Sequence, residues 1–317
     1  MPTSRLLAAL CLLAPLADAG THEPRHVPAD ARWVFHVDVE ALARSSLFDV
    51  LKESGHDVRA EMDFEGVRTK LGLDPLVDLR SATVYCAGPS SEDVVAVLTT
   101  TPAVDSAALR LEGMGARKLE VGGRSAHVLG EGSDAGYAAI LPGPTADLRT
   151  VVLAKGEPML LRGISVVDAR AASLAQPIAN SVRTRPAPGS IVFAASGQSL
   201  AELVDLDDGQ ASTVARLAQS FSFDAGEDRD ALFADLRIET QSPEDALRVQ
   251  QVGQGVVALL ALAAQEPSVA QPLQRLTSAL RVEAAGTRVQ ASFRYGLRQL
   301  VDELRALEHA GQDDGGR

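Results

Sequence analysis

Two stretches of alternating apolar and polar positions frame the chain. From Ala31 to Leu42 (ARWVFHVDVEAL), Trp33, Phe35, Val37 and Val39 occupy every second position. That period marks a strand with one covered face. Leu42, Leu47, Val50 and Leu51 come next at helical spacing. Far downstream, Ser190 to Val204 (SIVFAASGQSLAELV) has the same strand-then-helix order.

The elements after each stretch also correspond. In the first part the pattern predicts a helix over 64–71, a strand pair over 82–87 and 94–99, and a helix opened by Thr101-Pro102. A pair over 118–121 and 125–129 turns at Gly122-Gly123, strands cover 137–141 and 150–154, and a helix covers 157–167. In the second part, strands over 221–225 and 232–239 precede a helix opened by Ser242-Pro243. A pair over 280–284 and 287–295 turns at Ala285-Gly286, matching the pair around Gly122-Gly123, and a helix over 297–307 closes the series. The predicted class is α+β: two tandem β-α-β-β-α-β-β-like units, with mostly antiparallel sheets and helices packed on one face. Short links between successive strands disfavour a parallel doubly wound sheet. The chain divides into a signal peptide (1–19), an extended lead-in (20–30), a first α+β unit (31–176), a linker (177–189), a second unit (190–307) and a disordered tail (308–317).

The leader reading rests on Arg5, the apolar run Leu6 to Leu16, and Ala17-Asp18-Ala19, which reads as a cleavage site before Gly20. The run is too short for a permanent membrane helix. Cys11 lies inside it after Leu10, a poor setting for a lipid anchor. Cys86 is then the single cysteine of the mature chain, in a strand-like context that reads as a buried structural thiol. An exported chain without a disulfide fits a periplasm or cell surface.

Charge narrows the partners. A net charge of −12 disfavours nucleic acid and anionic membranes. Aromatic residues at 4% leave few stacking platforms for single strands.

No stretch carries a sharp chemical motif. His36, Asp38 and Glu40 share a strand face and have ligand chemistry, but a solvated strand face or strand-to-helix junction accounts for them better, and the downstream copy has Ala194 and Ser196 there. Gly113-Met114-Gly115 and Gly253-Gln254-Gly255 lack a phosphate-loop frame, and the second pair fits close helix packing. No G-x-S-x-G occurs. Ser196-Gly197 lacks the leading Gly, while Gly123-Arg124-Ser125-Ala126-His127 and Gly163-Ile164-Ser165-Val166-Val167 lack the closing one. Ser125 and His127 would share one face of a hairpin strand. Catalytic, cofactor-binding and metal-binding residues are therefore all assigned as none. Val252 to Ala264 (VGQGVVALLALAA) is apolar nearly all round and reads as a buried core helix, with a partner-facing helix or apolar groove as the alternative.

VPADARWVFHVDVEAL, DLRSATVY, RTVVLAKG and LRVEAAGTRVQASFRY resemble a family of exported bacterial proteins of planctomycete type and unknown function. The resemblance implies an α+β repeat protein outside the cytoplasm and carries over no site residue. The leading expectation is a non-enzymatic exported protein that binds or scaffolds an unidentified protein, with no transmembrane helix in the mature chain. The alternatives are a carrier of a small apolar ligand in a cavity between sheet and the helix at 244–265, and a hydrolase whose triad is assembled from distant segments.

Overall fold

A computed structural model of the chain describes residues 26–53, 64–86, 93–132, 135–170, 191–197, 199, 210–263 and 270–314. The leader and the linker lie outside the described residues. The strands are β1 (Trp33–Asp38), β2 (Leu79–Cys86), β3 (Val94–Thr100), β4 (Arg117–Val121), β5 (Arg124–Leu129), β6 (Gly136–Pro142) and β7 (Arg149–Ala154). They continue with β8 (Ile191–Ser196), β9 (Ala218–Asp228), β10 (Ala231–Thr240), β11 (Leu280–Ala285) and β12 (Arg288–Gly296). The described helices are α1 (Val39–Ala43), α2 (Ser46–Glu53), α3 (Phe64–Leu71), α4 (Pro75–Asp78), α5 (Ala103–Gly113) and α6 (Glu157–Val167), then α7 (Gln210–Leu217), α8 (Pro243–Ala263), α9 (Ala270–Ser278) and α10 (Leu297–Asp314).

The class is α+β, and all the described strands join one 12-stranded sheet in the order β11-β12-β10-β9-β8-β1-β2-β3-β7-β6-β5-β4. The units expected at 31–176 and 190–307 therefore share a sheet. Antiparallel pairing of β1 with β8 joins them, with Phe35 opposite Phe193. β1-β2-β3 run outward on one side and β8-β9-β10 on the other. The hairpin matched to β11–β12 in the sequence, β4–β5, is likewise outermost, but β7 and β6 stand between it and β3, whereas β12 lies beside β10. The strand that returns beside β3 is β7, as β12 returns beside β10, because β6–β7 form their own hairpin.

Cross-strand partners share a face, so the register follows each face across the sheet. One row runs Val282, Ala291, Leu236, Phe223, Phe193, Phe35, Val84, Ala96, Leu153, Ala138, His127. α8 packs on this face, where a Cβ on its Gly253 would meet Val282 Cγ1 at 3.0 Å. The opposite face carries Val95 and Val152, and α6 packs there through Leu160, Gly163 and Ile164. The helices thus flank both faces rather than the single face expected. The reason lies in the sequence of the central strands: β2 and β3 are apolar or small on both sides (Ala82, Val84 against Thr83, Tyr85; Ala96 against Val95, Val97), so both sides need cover.

The main core lies between α6 and β1 to β8, with Leu160 and Val152 at 0% exposure and Val27, from the end of the lead-in, buried among them. A second cluster lies under α8, where Ala246 and Val249 meet Ile238 and Val289. α10 continues to Asp314, into the tail expected to lie outside the fold. Residues 308–310 (Glu, His, Ala) contain no helix breaker, and a single Gly311 weakens a helix without ending it.

Candidate functional site

The strand-to-helix junction at β1 uses the polar groups that first invite a metal reading. Of the two expectations, a solvated strand face and a strand-to-helix junction, the structure shows the junction: His36 and Asp38 are buried, and Asp38 caps the helix that follows. Strands β2 and β8 pair with the two edges of β1, and His36 and Asp38 are 1% and 0% exposed on its face. His36 Nδ1 and Thr83 Oγ1 lie 2.9 Å apart. Asp38 caps α1, its Oδ1 accepting from the Ala41 amide at 2.9 Å. Glu40 points away and pairs with Arg44 and Arg80. The three residues do not converge. Among the described residues, no group of three or more His, Cys, Asp or Glu side chains is placed to hold a metal. Cys86 is buried, packed with Trp33 and Ala195.

A cavity of about 530 Å³ opens where α5 crosses the β5–β7 end of the sheet, lined by Asp105, Ser125, His127, Ile140, Leu141, Pro142 and Arg149. It brings Ser, His and Asp together, but their bonds run elsewhere. Arg149 grips Asp105 through Nε and Nη2 at 3.0–3.3 Å, and its Nη1 donates to the carbonyls of Ala146 and Leu148. His127 Nε2 bonds Glu112 Oε1 at 2.8 Å. Ser125 and His127 are two residues apart on β5, which separates parallel side chains by about 6.7 Å. The Ser125 side chain makes no hydrogen bond among the described residues, and the residue is exposed. A triad needs one imidazole nitrogen on the serine and the other on the acid. Here the acid contact is made, the serine contact is not, and Asp105 is occupied by Arg149.

Glu112, Asp105 and Arg149 escape sequence reading because they come from α5 and β7 at no fixed spacing from His127. The hydrogen bond from His127, helped by the charge of Lys118 at 3.5 Å, holds the Glu112 carboxyl below its ordinary range. A depressed carboxylate contributes stability that is present above its unfolded pKa and lost as pH falls through the folded one. Urea midpoints of wild type and Glu112→Gln should therefore differ at neutral pH and converge in acid below the usual glutamate range. A gap that persists in acid would place the contribution elsewhere.

The apolar run of α8 departs most from expectation. Val256 is 44%, Leu259 63%, Leu260 39% and Leu262 58% exposed. The last turns of α8 are not a buried core helix. No charged residue lies between Val249 and Gln265. Gly253 faces the sheet, in the close packing expected of it, while a Cβ on Gly255 would meet nothing within 4 Å. No described helix is long and apolar enough to cross a membrane.

No protein-family model matches the chain, and no curated protein does. Three solved structures resemble it over most of its length, each at 10% identity. They are crystal form I of TP0453, with TM-score 0.45 over 91% of this chain and 98% of that one, form III, with TM-score 0.49 over 90% and 99%, and form IV, with TM-score 0.46 over 94% and 98%.

Proposed function

We propose that this chain is an exported, non-enzymatic binding or scaffolding protein that engages a partner through the outer face of α8. The observation that carries the reading is the uncharged, exposed run from Val256 to Leu262. A helix apolar on every side is normally enclosed, and a contiguous exposed apolar patch marks an interaction surface. Export is supported by the basic start, the short apolar run and the small-residue site at Ala17 to Ala19. The non-enzymatic side is supported by the cavity at α5, where Asp105, His127 and Arg149 are engaged with protein partners. That cavity does not lie under α8, where an apolar carrier was expected to hold its ligand. In this reading the sheet is a duplicated unit, supported by the matching order β1-β2-β3-β7 and β8-β9-β10-β12 outward from its centre.

The test places a photo-crosslinking amino acid at Leu259 in the exporting cell and, separately, at Val77, which is similarly exposed at 60% but lies on α4. A discrete adduct at position 259 and none at 77 is the expected result. Adducts at both positions, or at neither, would overturn the reading. Protein recovered from the same cells should begin at Gly20; a retained leader would remove the support for export.

A further inference from the structure

The face of α8 turned away from the sheet has its own pattern. Gly253 is packed against Val282, which fixes the inward side. At 100° per residue the opposite stripe holds Gly255, Ala258, Leu259 and Leu262. It has a gap at one end, where nothing lies within 4 Å of a Cβ on Gly255, and a projecting side chain at the other, where Leu262 is 58% exposed. Gap and projection are one heptad apart, so the stripe is its own complement when reversed.

We infer that the occupant of this face is a second copy of the chain, with α8 packed antiparallel on α8 about a two-fold axis between Ala258 and Leu259. The inference rests on the reading of α8 as a docking face and names its partner. The axis sets Leu262 of each copy over Gly255 of the other and Leu259 against Ala258. Such an isologous contact closes after two chains. The glycine lets the helices approach at the near end of the usual 8–10 Å range.

Charge leaves this one approach open to a second copy. Copies carrying a net charge of −12 repel one another over most approaches. The stretch from Val249 to Gln265 has no charge, so two copies meet there without opposing carboxylates. The overlap from Gly255 to Leu262 is about two turns. That places the contact among small, reversible interfaces rather than obligate ones.

The experiment is sedimentation velocity of the mature chain over a concentration series up to high micromolar, at low and high salt. A reversible monomer–dimer equilibrium is expected, shifting toward dimer as salt screens the repulsion. Gly255→Leu should abolish the dimer by filling the gap, although it raises helix propensity and so leaves α8 intact. Leu262→Ala should weaken it at least tenfold. Combining the two exchanges gap and projection across the axis and should restore the dimer, a result that misfolding cannot produce. A wild type that stays monomeric throughout overturns the inference, as does a dimer insensitive to both single substitutions. If the monomeric wild type floats with uncharged phosphatidylcholine vesicles, a lipid surface covers α8 instead. If it stays monomeric while the probe at position 259 forms an adduct of another mass, the second copy is excluded and the docking face survives.

Discussion

Gly197→Ala should destabilise the protein by about 3 kcal/mol or more, at the upper end of overpacking costs. An added Cβ would lie 1.9 Å from the Ala218 carbonyl oxygen and 2.9 Å from that of Ala215. Both obstacles are backbone, so no rotamer change relieves them. Neither can the backbone easily retreat. Ala218 begins β9, which pairs with β8 on one side and β10 on the other, in register from Ser196 opposite Ser220 to Ile191 opposite Ala225. Moving β9 away would break hydrogen bonds near the middle of the sheet. Gly113→Ala is the matched control, because nothing lies within 4 Å of its Cβ and it sits in a helix. That change should be neutral or stabilise by up to about 1 kcal/mol. Urea unfolding of both variants decides; equal midpoints would mean that the approach of β8 to β9 is looser than described.

Much of this architecture was legible in the sequence because strand alternation and helical spacing are local. The turn at Gly122-Gly123 and the helix over 157–167 needed only their own residues. Burial of a whole segment was less legible, because it depends on neighbours far along the chain. α8 shows this most plainly. Its all-apolar second half reads as core on local pattern. A helix of 21 residues rises about 31 Å, while a strand of six residues such as β11 spans about 20 Å. α8 therefore outruns the strand on which Gly253 rests, and Ala258 to Leu262 pass into solvent. β1 shows the converse. The polar side of WVFHVD reads as a solvated strand face or a helix junction, yet His36 is enclosed, with Thr83 from distant sequence 2.9 Å from its ring. The cavity at α5 needed both kinds of information and left no local trace.

Gly197 and Gly163, the glycines of two incomplete nucleophile elbows, have a common explanation in packing. Each is small because another element passes close by. At Gly163 the obstacle is side chain rather than backbone, and this gives a sharper prediction. Gly163→Val should destabilise by about 3 kcal/mol. A Cβ there would lie 2.6 Å from Val152 Cγ1 and 2.9 Å from Val95 Cγ1, with Tyr85 Oη at 3.6 Å. Val152, Val95 and Tyr85 are all at 0% exposure, and burial pushes the Tyr85 phenol well above its ordinary range. Two further methyl groups on a β-branched residue would have to lift α6 from the sheet and expose Leu160 and Ile164. Val152→Ala alone should cost roughly 1–3 kcal/mol as a truncated core side chain. Because the valine methyl is the main obstacle, the double variant should lose clearly less than the sum of the two single changes, by about 1–2 kcal/mol of coupling between contacting sites. A double-mutant cycle in urea measures that difference directly. Simple additivity would mean that Gly163 is required for the backbone of α6 itself, and not for the approach of α6 to β3 and β7.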